Sequence, residues 1–199
     1  MTLLTAIFTL FLVMNPIGNA ITCIALLRRI QGRRRIFILV RESLVAMGIL
    51  LAFLFSGRYL LAVLQIQEPV LSIAGGVVLF MIAIKMVFQS SEGMFGAAGQ
   101  EEPLIVPIAV PMLAGPSAIA VVLLLASKDP ARMGEWIVAV VTVCLVAIPI
   151  LVAGDRLGRL IGERGALAVE KLMGILLTVL SIQLLLSGVE DYLRHRQMI

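Results

Sequence analysis

The sequence predicts an all-α integral membrane protein whose six transmembrane helices form a 3+3 inverted-topology repeat, with helices 1 and 4 broken. Three observations carry this prediction. First, hydrophobic residues make up 61% of the 199 residues and charged residues 14%, whereas soluble domains have about 45–50% and 25%. Second, the apolar residues gather into runs at 3–27, 36–57, 69–88, 104–127, 135–154 and 168–188, each long enough to cross a hydrocarbon core of about 30 Å at about 1.5 Å per helical residue. Third, a proline motif recurs at matching depth in the first and fourth runs.

The first run starts at once and has no basic leader, so it is expected to be a span and not a removable signal peptide. Arg28, Arg29, Arg33, Arg34 and Arg35 follow it, with Arg41 just inside the second run. By parity Lys85, Arg156, Arg159, Arg164 and Lys171 share that side, which then holds eleven basic residues, against five (Arg58, Lys128, Arg132, Arg194 and Arg196) on the other. The richer side is expected to be cytoplasmic, placing both termini outward, in the periplasm of a bacterial inner membrane. The net charge of +4 is spread over run ends and forms no single patch, which argues against nucleic acid as a partner.

The expected organisation is one membrane domain over 1–199. A first three-helix repeat covers 1–88, a cytoplasmic linker 89–103 and a second repeat 104–190. The linker carries Ser90, Ser91, Gly93, Gly96, Gly99, Glu101 and Glu102, a flexible composition. The halves align weakly. With Pro16 over Pro116, Met14–Ala20 lies over Ala114–Ala120, Ser56-Gly57-Arg58 lies over Ala153-Gly154-Asp155, and Gly76-Val77-Val78-Leu79 lies over Gly174-Ile175-Leu176-Leu177. Three spans per half force the second half to cross in the opposite sense, the arrangement of many secondary transporters.

Asn15-Pro16 lies twelve residues into the first run, about 18 Å deep, and Gly115-Pro116 lies at similar depth in the fourth. Proline cannot donate to residue i−4 and crowds its carbonyl, and the residue before it avoids the helical region. Asn is a strong N-cap and Pro favours the first helical position, so each motif is expected to start a half-helix. Two positive helix ends then converge, an arrangement that attracts a carboxylate. Ordinary proline kinks are the plainer alternative.

The substrate-binding candidates are Asn15, Pro16, Gly18, Asn19, Gly115, Pro116 and Ser117 at the breaks, Gly75 and Gly76 in the third run, and Gln183 in the sixth. They are small or neutral. A ligand matching them carries one carboxylate and one ammonium, as a small neutral amino acid does. Glu42 is a candidate ion-coupling group, with an interfacial pair to Arg41 as the plainer reading. Lys85 fits snorkelling to the interface. No metal-ligand cluster, nucleotide motif or enzyme signature is present, so no cofactor, metal or catalytic residue is expected and the protein is not expected to be an enzyme.

The Asn15-Pro16-Ile17-Gly18 motif, the stretch Val110–Ala118 and the segment Ala74-Gly75-Gly76 together resemble the MarC family of bacterial inner-membrane proteins. The resemblance covers essentially the whole chain. It implies a transporter of small neutral amino acids such as glycine and alanine, coupled to protons, with uptake or export left open. Expected partners are that substrate and the lipid bilayer, and a homo-oligomer is compatible with the pattern. Competing readings are efflux of a drug or another metabolite, which a 6% aromatic content does not favour, and a thiol–disulfide electron conduit through Cys23 and Cys144. A purely structural membrane subunit leaves the paired breaks unexplained.

Overall fold

The computed structural model describes residues 2–27, 30, 32–63, 65–88 and 108–197, and among them the protein is helical and contains no strand. In chain order the helices are α1 (Leu3–Met14), α2 (Pro16–Leu26), α3 (Arg33–Val63), α4 (Glu68–Phe88), a π-type segment (Ile108–Leu113), α5 (Pro116–Lys128), a 3₁₀ turn (Pro130–Arg132), α6 (Met133–Val152) and α7 (Gly154–Gln197). Among the described residues five segments are long and apolar enough to cross a membrane: Leu3–Ala20, Arg33–Gly57, Glu68–Phe88, Pro130–Val152 and Leu167–Arg194.

The fourth predicted run departs from a plain span. Residues 108–113 form a wide turn interrupted by extended backbone at Val110 (φ −130°, ψ 125°), and regular helix begins only at Pro116. The apolar stretch Pro116–Ser127 covers about 18 Å, short of a bilayer core. Pro111 and Pro116 each remove a backbone donor, which prevents one straight helix here. The predicted linker 89–103 and residues 104–107 lie outside the described residues. A second departure is α7, whose 44 residues run unbroken through 155–167, where the sequence suggested a loop. That stretch has no proline, and a helix satisfies its own backbone groups wherever it lies relative to lipid.

Packing joins the chain's early helices to its late ones. The α1 helix lies on α6, α2 lies on α6 and α7, and α3 lies on α5, α6 and the 108–113 segment. The α4 helix packs on α5 and, most extensively, on α7. None of the pairs α1–α3, α2–α3 or α3–α4 packs extensively. The α4–α7 contact is antiparallel and tight: a Cβ on Gly76 would lie 3.0 Å from the Ser181 carbonyl oxygen, and one on Gly174 3.2 Å from that of Ala83. Small residues allow such backbone approach, which is how helices gain contact when lipid supplies no hydrophobic drive.

Trp136, fully buried, fixes the α5–α6 corner: its indole Nε1 donates to the Asp129 carbonyl at 2.9 Å, and the Arg132 guanidinium stacks 4.8 Å from its ring centre. That pairing gives the polar turn Asp129–Arg132 a rigid anchor at the head of α6.

Candidate functional site

The first break is built from three adjacent choices of residue. Asn15 ends α1 in the left-handed region (φ 43°, ψ 57°), a conformation Asn tolerates better than other non-glycine residues. Its backbone N–H still donates to Phe11 at 3.0 Å and Leu12 at 3.2 Å. Its side-chain Oδ1 then accepts the Gly18 N–H at 3.2 Å, capping α2. Pro16 occupies the first helical position, where its missing N–H costs nothing. Gly18 leaves room for the cap: a Cβ there would clash with Asn15 Nδ2 and force that side chain to shift. One residue thus closes one helix and opens the next.

The second break is built differently. Ala114 donates to Ala109 at 2.8 Å, closing the wide turn. Gly115 is extended (φ −73°, ψ 166°), and α5 starts at Pro116 with no side-chain cap. Gly115 has no side chain to offer, so the first-turn amides of α5 lack the cap that Asn15 gives α2. Gly115, Ser117 and Ala118 are buried, whereas Pro116 is exposed. The Ser117 hydroxyl makes no hydrogen bond among the described residues.

Asn19 joins the two breaks. Its Nδ2 donates to the Met14 carbonyl at 2.8 Å and to the Met112 carbonyl at 2.9 Å. These are carbonyls freed by the interruption of each helix, and one amide satisfies both. The bond to Met112 thus ties the first turn of α2 to the 108–113 segment that leads into α5. Asn15 Nδ2 also lies 3.8 Å from Met86 Sδ, bringing the end of α4 to the site.

Of the sequence candidates, Asn15, Pro16, Gly18, Asn19, Gly115, Pro116 and Ser117 thus belong to two breaks bonded to each other. Gly75 and Gly76 serve packing in this structure. A Cβ on Gly75 would lie 3.1 Å from the Ala120 Cβ of α5, and one on Gly76 2.7 Å from Leu185 Cγ of α7. Gln183 is exposed on α7, with Ser187 Oγ 3.4 Å from its Nε2, and is not brought to the breaks. Glu42 is fully buried and forms the expected pair with Arg41, which reaches its Oε1 from Nε at 2.9 Å and Nη2 at 2.7 Å, while Oε2 has no hydrogen-bond partner among the described residues. Cys23 and Cys144 are buried free thiols. Sequence reasoning missed the bridge through Asn19, since residues 93 positions apart leave no local signal.

The MarC family signature, described as MarC family integral membrane protein, matches residues 1–193. The chain belongs to the MarC family. This MarC protein is 38% identical over 193 residues to the UPF0056 inner membrane protein YhgN of Escherichia coli (strain K12), covering 96% of this chain and 98% of that one. A UPF0056 membrane protein of Buchnera aphidicola subsp. Schizaphis graminum is 36% identical over 186 residues (94% and 95%), and one of Aquifex aeolicus is 28% identical over 199 residues (96% and 93%). No solved structure matches the MarC chain.

Proposed function

We propose that this MarC protein is a secondary transporter of small neutral amino acids such as glycine and alanine, working by alternating access and not as an enzyme. The carrying observation is the joined pair of breaks, with Asn19 donating to Met14 and Met112 at 2.8 and 2.9 Å and two half-helices starting there. The substrate carboxylate would take the uncapped amides of α5 at Ser117 and Ala118, with the Ser117 hydroxyl beside them. The ammonium would take the Asn15 and Asn19 side-chain oxygens or backbone carbonyls of the breaks. No cofactor is needed, since an ion gradient can drive the cycle.

The 3+3 inverted repeat is part of this reading, with the segment 104–127 as a broken fourth span. Helix packing supports it. Gly76 approaches Ser181 and Leu185, and Gly174 approaches Ala83 and Val87. One offset, 98 positions, relates Gly76 to Gly174, Ala83 to Ser181 and Val87 to Leu185. Exchange of the halves maps one set of contacts onto the other, which is what two mirror-related transport states require. The arginine distribution supports cytoplasmic ends for α2 and α6 and outward termini, in the inner membrane that the name of the Escherichia coli relative gives for that protein.

The test is flux of radiolabelled glycine and alanine into proteoliposomes. Saturable flux that unlabelled alanine competes away, and that Asn15→Ala eliminates in a folded protein, is the expected result. Flux no greater than in empty liposomes would reject the reading.

A further inference from the structure

Among the described residues Glu42 is the buried carboxylate that the substrate site does not use. It lies nine residues into α3, about 14 Å from the helix start. Its side chain is 0% exposed, while that of Arg41 is 39% exposed. Both Arg41 contacts fall on the same oxygen, Oε1, and Oε2 is buried with no hydrogen-bond partner among the described residues. A merely structural ion pair would be expected to use both oxygens, because the guanidinium fork matches a carboxylate two-to-two. A buried carboxylate with one oxygen unpaired among the described residues is costly to keep and marks a functional position when it lies inside a membrane bundle.

Among the described residues the ion pair formed by Glu42 is with Arg41. Among the described residues the elements packed most extensively on α3 are the 108–113 segment, α5 and α6, and the start of α3 brings Arg35 near the Cys23 thiol of α2. The segment 108–113 carries no ionisable residue, α5 carries only Lys128 at its far end, and α6 carries Glu135 in its first turn and the Cys144 thiol. On α3 itself the nearest other charges are Arg33, Arg34 and Arg35, at least seven residues away. The same 108–113 segment leads directly into the second break, so α3 abuts the substrate locus.

We infer that Glu42 is the proton-binding residue of the transport cycle, with Arg41 as the counter-charge that holds the carboxylate once the proton has left. This rests on the transport reading above. In the loading step hydronium gives its proton to Oε2: an O–H bond of hydronium breaks, the Oε2–H bond forms, and water leaves. The carboxyl is then neutral and Arg41 is released from it. In the unloading step the proton returns to water on the other side and Arg41 re-forms its two bonds to Oε1. Movement of α3 against the 108–113 segment links the two steps to opening and closing of the second break.

The test uses the full chain in proteoliposomes, comparing wild type, Glu42→Gln and Glu42→Asp. Two readouts are taken: exchange of labelled for unlabelled alanine at equal pH on both sides, and alanine accumulation under an imposed pH gradient. Wild type is expected to accumulate alanine about tenfold per pH unit if one proton moves per substrate. Glu42→Gln is expected to exchange alanine but to lose accumulation, and Glu42→Asp, which keeps the carboxyl, to retain part of it. The inference is overturned if Glu42→Gln still accumulates alanine, or if wild type exchanges alanine without responding to the gradient. Equal loss of exchange in the Gln and Asp variants would also overturn it, since the position would then be structural. Absence of alanine exchange in folded wild type would instead reject the transport reading itself.

Discussion

Asn19→Asp exchanges a donor for an acceptor with almost no change of shape. In the native chain Nδ2 donates to the carbonyl oxygens of Met14 and Met112 at 2.8 and 2.9 Å, and both methionines are buried. An ionised aspartate presents two oxygens to two carbonyl oxygens, so both bonds are lost and the side chain must turn away. Leaving each buried carbonyl without its donor costs about 1–3 kcal/mol, or about 2–6 kcal/mol for the pair. For a chain of this length a loss of 1 kcal/mol lowers the melting midpoint by about 2–4 °C, so a drop of about 5 °C or more is expected in detergent. Asn19→Ala removes the donors without adding repulsion and should fall between Asp and wild type. Both variants should also lose alanine exchange. An Asn19→Asp protein as stable and as active as wild type would refute the idea that this amide joins the breaks.

Three further outcomes follow from the same geometry. Gly18→Ala should displace the Asn15 side chain, because its Cβ would clash with Nδ2; loss of the α2 cap costs about 0.5–2 kcal/mol, and a scan of melting midpoints against wild type reads it. Gly76→Val and its counterpart Gly174→Val should each separate α4 from α7 and lower stability by similar amounts, whereas Gly48→Ala, which meets nothing within 4 Å, should not. A Cys23→Ser/Cys144→Ser double variant should keep full alanine flux in liposomes, since both thiols are free; loss of flux without unfolding would revive the thiol–disulfide reading.

Much of the site could be read in the sequence because its chemistry is local. Asn before Pro specifies a helix break through the capping preference of Asn and the fixed φ and missing donor of Pro, although the left-handed turn at Asn15 was not foreseen. The second break was equally visible at Pro116, but the wide turn at 108–113 was not, since it depends on how Pro111 and Pro116 act together. Long-range choices left no trace. Nothing near Asn19 announces its bond to Met112, and small residues such as Gly76 read alike whether they approach a ligand or a neighbouring helix. Glu42 and Gln183 show a deeper difficulty. In lipid the outward face is as apolar as the core, so periodicity does not tell inside from outside. The sequence therefore left Glu42, fully buried in the structure, between an ion-coupling role and an interfacial pair, and offered Gln183, which is exposed, as a substrate-binding candidate.

The most direct test of the central claim is a structure of the full chain in nanodiscs with bound alanine. The account predicts ligand density between the two breaks, with the carboxylate at the Ser117 and Ala118 amides and the ammonium towards Asn15 or Asn19. Alanine bound elsewhere, for example in the 280 Å³ cavity lined by Gln65, Gln67, Glu68 and Ser127, with the breaks left unoccupied, would contradict it.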